Sequence, residues 1–234
     1  MTPLLEQQAL DFRLASRLFA YPDEHSAAEV ADLRALGAGA AEPAVRPLVD
    51  ALERASDGSL EATYLALFEN GPGRTSLHET EYGRMRGMSK GNDLADVAGF
   101  YRAFGLSPTD GEMPDHVAME LEFYSVLLVK QAHLHEIGDA EGVSIVEDAR
   151  RKFLTDHLGP LALALGARPA LSGETLYGPA AAFCGKLVSV ECEALGVTAA
   201  PLDPFADPDA SSELTCGGSA EGPLVGIRPR RQQT

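Results

Sequence analysis

The sequence predicts an all-α protein: a single globular multi-helix domain followed by an extended C-terminal tail. Apolar residues recur at helical spacing along most of the chain, and no alternating apolar and polar run is bounded by an Asn-Gly or Asp-Gly turn. The 234 residues, 45% of them hydrophobic, are enough to bury a sizeable core. We place the domain in residues 1–198 and the tail in residues 199–234, which are rich in proline and glycine.

Local sequence signals place the individual helices. Pro3 suits the first turn of a helix, Ser26 and Glu29 have the spacing of a capping box, and Gly159-Pro160 is expected to break a helix. Residues 71–92 mix glycine, proline and charged residues and are expected to be irregular. The expected helices cover about residues 3–20, 26–36, 43–55, 60–69, 94–104, 114–136, 144–157, 161–165 and 173–195.

The charge balance excludes one class of partner and favours another. Nineteen Lys and Arg stand against 35 Asp and Glu, a formal net charge of −16. Binding to nucleic acid through phosphate neutralisation is not expected of such a chain, whereas basic partners are attracted. Apolar runs are too short to insert in a membrane, and the N-terminus lacks the pattern of a secretory signal. Three cysteines without a CxxC motif indicate reduced thiols and a cytoplasmic location.

Motifs for catalysis and for cofactor binding are missing. The sequence has no phosphate-binding glycine loop and no GxSxG motif, and His78–Tyr82 begins like a zinc HExxH motif without its second histidine. We therefore expect no catalytic residue, no metal ligand and no cofactor. The alternative is a helical metal-dependent hydrolase in which His116 and Glu120, four residues apart, share a metal ion.

Asp115 and His116 stand where a long helix is expected to begin. A carboxylate there is favoured by the helix dipole in any protein, which is the ordinary structural explanation for Asp115. The dipole disfavours a protonated histidine, so His116 needs another explanation. His116, Glu120 and Phe123 share one helix face, which is consistent with a polar recognition point for a bound segment.

Two glutamates in the preceding irregular stretch have two interpretations. Ser76 and Glu79 have the spacing of a capping box, while Glu79 and Glu81 together could bind a guanidinium group. Three nearby arginines could instead neutralise them: Arg74, Arg84 and Arg86. In the tail, Arg228–Arg231 could fold back on the acidic body or remain solvated.

Several segments together resemble the redox-enzyme maturation chaperones of the TorD/DmsD/NarJ group. The resemblance covers roughly residues 5–195. Its most specific element is a Pro-Asp-His start to a helix rich in Leu, Glu and Phe. The matching segments are Tyr64–Phe68 with Gly71–Gly73, His78–Gly83, Ala95–Tyr101 with Gly105-Leu106, Pro114–Phe123, and Arg151–Phe153 with His157-Leu158.

This resemblance implies an all-α, cytoplasmic, non-enzymatic protein. Such chaperones bind the precursor of the catalytic subunit of a molybdenum-containing oxidoreductase, often through its twin-arginine leader, and hold it until cofactor insertion and export. The family pattern assigns leader recognition to Asp115 and His116, with Glu79, Glu81 and Tyr82 from the preceding loop; Glu120 joins them through the helix face it shares with His116.

The sequence resembles most the branch serving periplasmic enzymes of the dimethyl sulfide, ethylbenzene, selenate and chlorate type. It departs from some members in having no tryptophan. Because family members occur as monomers and as homodimers, both states remain open. A stable assembly subunit of a redox complex is the remaining alternative.

Overall fold

The structure, a computed structural model, confirms the all-α class. It describes residues 2–23, 25–40, 43–53, 59–70, 74–82, 86–108, 112–168, 171 and 174–202. Within these ranges there is no β-strand, only one isolated bridge. The helices are α1 Thr2–Phe19, α2 Ser26–Ala35, α3 Arg46–Glu53, α4 Ser59–Tyr64, α5 Arg86–Ala103, α6 Val117–Ile137, α7 Ala140–Asp156, α8 Leu158–Gly166 and α9 Tyr177–Leu195.

The long central helix α6 forms the middle of the core. Helix α1 packs along it, and Phe12 of α1 meets Tyr124 of α6 with ring centroids 4.6 Å apart. Gly138, with a φ of 74°, ends α6 in the left-handed conformation that favours glycine. Helix α7 then returns along α6, and α8 and α9 pack on each other beside them.

A buried polar network joins four of these helices. Glu191 of α9 accepts hydrogen bonds from Gln8 of α1 at 2.7 Å and from Tyr124 of α6 at 2.7 Å. Arg150 of α7 forms an ion pair with the same carboxylate and also donates to Gln131. Because every partner is satisfied, the network holds the helices in one register instead of leaving a buried charge alone.

At two of the helix starts that differ from expectation, a capping side chain explains the difference. Helix α6 begins at Val117 and not at 114, because His116 has extended backbone angles and its Nδ1 accepts the N–H of Ala118 at 3.1 Å. Helix α7 begins at Ala140 and not near 144, because the Asp139 carboxylate accepts the N–H of Gly142 at 2.9 Å.

The expected capping box at the start of α2 does not form. The carboxylate that accepts the Ser26 N–H, at 2.9 Å, belongs to Asp23, while Glu29 forms an ion pair with Arg17. The nearer aspartate satisfies the same free N–H group that a capping box would use.

Gly159-Pro160 does not break a helix either. The chain breaks one residue before α8, at His157, whose backbone angles are φ −129° and ψ −88°. Pro160 therefore lies in the first turn of α8, where no intrahelical N–H donor is needed.

Helix α5 begins within the stretch expected to be irregular. It starts at Arg86, and Lys90 in its second turn donates to Glu81 at 2.7 Å. This ion pair ties the glycine-containing start of the helix to the loop before it.

The described chain ends packed against the body. The Leu202 N–H donates to the carbonyl of Pro160 at 3.2 Å, and its side chain is partly buried against the core. Most of the expected tail, residues 203–234 with Cys216 and Arg228–Arg231, lies outside the described residues. Among the helices that the structure describes, none has the length and apolar character needed to cross a bilayer.

Candidate functional site

The loop 74–82 is bound to the start of α6 by paired backbone hydrogen bonds. The Val117 N–H donates to the Leu77 carbonyl at 2.8 Å, and the Glu79 N–H donates to the Asp115 carbonyl at 2.9 Å. These bonds flank an antiparallel bridge between His78 and residue 116. The two segments that sequence analysis singled out thus lie side by side.

Asp115 holds this loop from inside. Its side chain is fully buried. One carboxylate oxygen lies 3.2 Å from Nδ1 of His78, and the other accepts from the Thr80 N–H at 3.1 Å and the Thr80 hydroxyl at 2.5 Å. Burial alone would raise the pKa of Asp115, but these hydrogen bonds outweigh it and lower the pKa below its usual value. Asp115 is therefore a charged anchor for the loop.

His116 caps α6 as a neutral imidazole. Burial, together with the neighbouring His78, lowers the pKa of His116 to about 4. The two rings lie 4.9 Å apart at 79°. With its Nδ1 accepting from Ala118, the neutral ring carries its proton on Nε2. A neutral ring removes the unfavourable interaction with the helix dipole that made this histidine unexpected.

Glu79 connects the loop to the joint between α7 and α8. Its carboxylate lies 3.1 Å from Nδ1 of His157, and Asp96 of α5 approaches the other ring nitrogen at 3.3 Å. Burial would lower the pKa of His157, but the bond to Glu79 and the acidic neighbours raise it above its usual value. The loop is thus tied to α6 through Asp115 and to the α7–α8 joint through Glu79.

Glu120 is a buried carboxyl group without a described hydrogen-bond donor. It is fully buried, and neither carboxylate oxygen accepts a hydrogen bond from a described residue. Burial raises the pKa of Glu120 well above its usual value, and the charges of Glu79 and Asp115 raise it further. Burial without a donor therefore favours the protonated carboxyl group, which can donate to Glu79.

Glu81 and Tyr82 occupy other places in the loop. Glu81 accepts from Lys90, as described above. Tyr82 is buried and donates its hydroxyl to the Ser76 carbonyl at 2.7 Å, and burial raises its pKa to about 12. The expected Ser76–Glu79 capping box is absent, because the Ser76 hydroxyl accepts the His78 N–H at 3.2 Å instead.

A groove of about 690 Å³ opens beside the two histidines. Its apolar wall includes Tyr21, half exposed, which packs edge-on against Tyr64 with ring centroids 5.4 Å apart. Its other lining residues include three glutamates, one arginine, two methionines and both histidines: Glu69, Glu112, Glu122, Arg17, Met113, Met119, His78 and His116. Asp115, Glu79 and Glu120 do not line it.

Sequence reasoning missed most of the groove. Tyr21 follows α1, and Glu69 ends a π-helical turn, Leu65–Glu69, that continues α4. These residues and Glu112 come from segments far apart in sequence, so no motif could join them. A tyrosine next to Pro22 and the Glu112-Met113 pair before Pro114 were the signals available in the sequence.

The structure gives the metal-site alternative no support. Among the described residues, no group of three or more His, Cys, Asp or Glu side chains is arranged to hold a metal ion. The two described cysteines, Cys184 and Cys192, are buried among core side chains.

Comparison with known proteins places the chain in a family. Residues 35–163, more than half of the chain, match the family model described as "Nitrate reductase delta subunit". The chain is 29% identical to the selenate reductase assembly chaperone protein of Thauera selenatis over 84% of its own length and 94% of that protein's. It is 34% identical to the chlorate reductase assembly chaperone protein of Ideonella dechloratans over 59% and 71%.

A third relative is named for nitrate reductase. The chain is 28% identical to the probable nitrate reductase molybdenum cofactor assembly chaperone NarJ of Bacillus subtilis, over 53% of this chain and 68% of that protein. The matched region contains the whole loop, the start of α6 and His157. The chain therefore belongs to the nitrate reductase delta subunit family of molybdoenzyme assembly chaperones, which are non-catalytic proteins.

Proposed function

We propose that this protein acts in the cytoplasm on the precursor of a molybdoenzyme catalytic subunit, binds its leader in the groove, and holds it until cofactor insertion and export. The observation that carries this proposal is the pairing of an apolar wall with glutamates in one groove. The relatives that assemble selenate and chlorate reductases favour a client of that enzyme class.

The groove fits the chemistry of a twin-arginine leader. Such a leader offers two guanidinium groups followed by an apolar segment. Glu69 and Glu112 form no ion pair with a described residue, so their carboxylates are available to guanidinium groups. Tyr21 and Met113, 50% and 39% exposed, present apolar surface to the rest of the segment.

The predicted recognition residues then divide into two roles. His116, with His78, lines the groove and can contact the client directly. Asp115, Glu79 and Glu120 are buried or nearly so and act as positioning residues that fix the loop against α6 and α8. Glu81 and Tyr82 fix the remainder of the loop through Lys90 and Ser76.

The test is binding of a labelled twin-arginine leader peptide, measured by fluorescence anisotropy. His116→Asn keeps a side chain that caps helices well, so we expect an unchanged melting temperature. We expect the same variant to bind the leader about tenfold more weakly, because it loses the ring in the groove, which corresponds to about 1.4 kcal/mol. Unaltered affinity in His116→Asn would remove His116 from the binding surface.

The matched control lies on the same helix. His133→Asn changes an exposed histidine that pairs with Glu136 and does not line the groove, so it should bind the leader as the wild type does.

Purification of the chaperone from its native cells separates the two modes of action, transient chaperone and stable assembly subunit. A client with its leader uncleaved supports a transient chaperone, whereas persistent association with the mature, cofactor-loaded enzyme would mean a stable assembly subunit.

A further inference from the structure

The C-terminal segment beyond the described residues is divided by charge. Residues 203–221 contain five acidic residues and no lysine or arginine. Residues 222–234 contain no acidic residue and three arginines within four positions, Arg228, Arg230 and Arg231. Leu224, Val225 and Ile227 immediately precede these arginines, so the end of the chain combines an apolar stretch with clustered positive charge.

The groove carries the complementary pattern. Arg17, the one arginine among the described lining residues, already forms an ion pair with Glu29 at 2.7 Å and approaches Glu122 at 3.8 Å. Glu69 and Glu112 have no such partner among the described residues, and both are exposed. The groove therefore has an excess of negative charge next to exposed aromatic and methionine surface.

We propose that the segment Leu224–Arg231 of this same chain occupies the groove when no client is bound. Its arginines pair with Glu69 and Glu112, and its apolar residues lie against Tyr21 and Met113. The occupancy follows from the groove and the tail alone. Its consequence, that the tail competes with the client, rests on the proposed function.

The point where the described chain ends favours binding within one molecule. Leu202 is hydrogen-bonded to Pro160 at the start of α8, and His157 just before that helix contacts Glu79 in the loop next to His78. The described chain thus ends at the start of α8, next to the residue that contacts the loop 74–82. Residues 203–227 can extend over about 80 Å at 3.3 Å per residue, so their length does not limit the reach.

Tethering makes even a weak contact effective. A covalent connection of this length gives an effective concentration on the order of 1 mM. A segment that binds as a separate peptide with a Kd of about 0.1 mM would then fill the groove about nine-tenths of the time. A client leader would bind with an apparent affinity about tenfold weaker than to the open groove, so weakly matched basic peptides would be excluded.

The direct test is photo-crosslinking in the full-length protein. The photoreactive amino acid p-benzoylphenylalanine replaces Ile227, and mass spectrometry identifies the residues it joins. We expect crosslinks to residues 21, 64–69 and 112–119. Mixing nitrogen-14 and nitrogen-15 forms of the protein distinguishes crosslinks within one chain from those between two chains. Crosslinks scattered over the surface, or found only between chains, would overturn the proposal.

The control variant removes the charge of the segment while leaving the described body intact. We expect Arg228→Gln, Arg230→Gln and Arg231→Gln, combined in the full chain, to reduce the groove crosslinks at least fivefold without changing the melting temperature. Groove crosslinks at the wild-type yield in this triple variant would contradict the proposed ion pairs.

A second measurement separates this inference from the proposed function. A synthetic peptide of residues 222–234 contains no client sequence and should bind the triple variant about tenfold more tightly than it binds the wild type. Adding Glu69→Gln and Glu112→Gln to the triple variant should abolish that binding. If this peptide binds but a leader peptide does not, the tail occupies the groove and the proposed client site is wrong. If the leader binds wild type and triple variant equally and this peptide does not bind, the tail proposal is wrong and the client site stands.

Discussion

At the scale of single residues, the pKa values of neighbouring carboxyl groups at the start of α6 are shifted in opposite directions. The pKa of Asp115 is lowered because His78 and Thr80 donate to it, whereas the pKa of Glu120, one turn into the helix, is raised by burial without a donor. His116 between them is neutral. The resulting arrangement places a fixed negative charge under the loop and keeps His116 uncharged.

Glu120 makes the stability of the folded protein fall as the pH rises. The pKa of Glu120 is raised in the folded state. At a pH above the usual pKa of a glutamate, the unfolded chain therefore binds fewer protons than the folded one, and stability falls as pH rises. Glu120→Gln removes this loss, since an amide stays neutral and can still donate to Glu79. We expect the variant to be more stable by about 1–3 kcal/mol at pH 8.

Urea unfolding of both proteins between pH 4 and pH 8 measures this effect. The difference in the free energy of unfolding should shrink towards pH 4, where the glutamate of the unfolded chain also becomes largely protonated. A difference independent of pH would show that Glu120 is not held neutral in the folded protein.

At the scale of helices, close backbone approach at the α7–α8 joint limits what the chain accepts. A Cβ atom on Gly159 would lie 2.1 Å from the Leu154 carbonyl oxygen and 2.7 Å from Cβ of Ala199. At Gly185, where α9 crosses α8, the nearest atom to an added Cβ is the Ala162 carbonyl oxygen at 3.8 Å, an ordinary contact. Two glycines in helices therefore differ sharply in their tolerance of alanine.

We expect Gly159→Ala to reduce the free energy of unfolding by about 1–3 kcal/mol, because the backbone of α7 and the chain after α9 must shift. Gly185→Ala is the matched control. It should be neutral or stabilising by up to about 1 kcal/mol, since alanine favours helix. Chemical denaturation of the two variants makes the comparison, and equal destabilisation would contradict the tight approach at Gly159.

Sequence patterns predicted the helices but not how side chains cap and join them. Apolar periodicity located α1, α6 and α9, since burial of one face is a local property. The predicted start of α6 lies three residues before the observed one. Capping by a histidine ring has no sequence signature of the kind that serine or aspartate gives. The pairing of Arg150 with Glu191 spans 41 residues, and no local pattern predicts it.

Only the part of the candidate site whose residues are close in sequence was predictable. Asp115 and His116 are adjacent in sequence, and the family resemblance joined them to Glu79. Their separation into a buried anchor and a groove-lining cap depends on hydrogen bonds to His78 and Thr80, more than 30 residues away. The part of the groove wall that α1 contributes is far from the loop in sequence, and no motif connects the two.

At the scale of the whole molecule, a net charge of −16 opposes compactness. Like charges over the surface repel one another, and added salt screens this repulsion beyond a Debye length of about 10 Å at 0.1 M. We expect the melting temperature to rise by about 2–4 °C between low salt and about 0.3 M NaCl, corresponding to about 1 kcal/mol. Differential scanning calorimetry measures it at constant pH.

A fall in melting temperature with added salt would mean that surface ion pairs make the main electrostatic contribution to stability. Surface ion pairs such as Arg34 with Glu53, at 2.8 Å, are weakened by the same salt. A melting temperature that falls with NaCl would therefore mean that such pairs outweigh the general repulsion.

The contacts that hold the groove loop also determine when the groove can form during synthesis. The bond between Glu79 and His157 closes 78 residues of chain, and the bonds from Thr80 to Asp115 close 35. Contacts so distant in sequence form late, after their entropic cost is met by local helices. During synthesis on the ribosome, the loop 74–82 and the start of α6 emerge before the start of α8, so the contact between Glu79 and His157 cannot yet form. A nascent chaperone therefore has no finished groove, and the segment Leu224–Arg231 is synthesised only after the residues that line the groove it is proposed to fill.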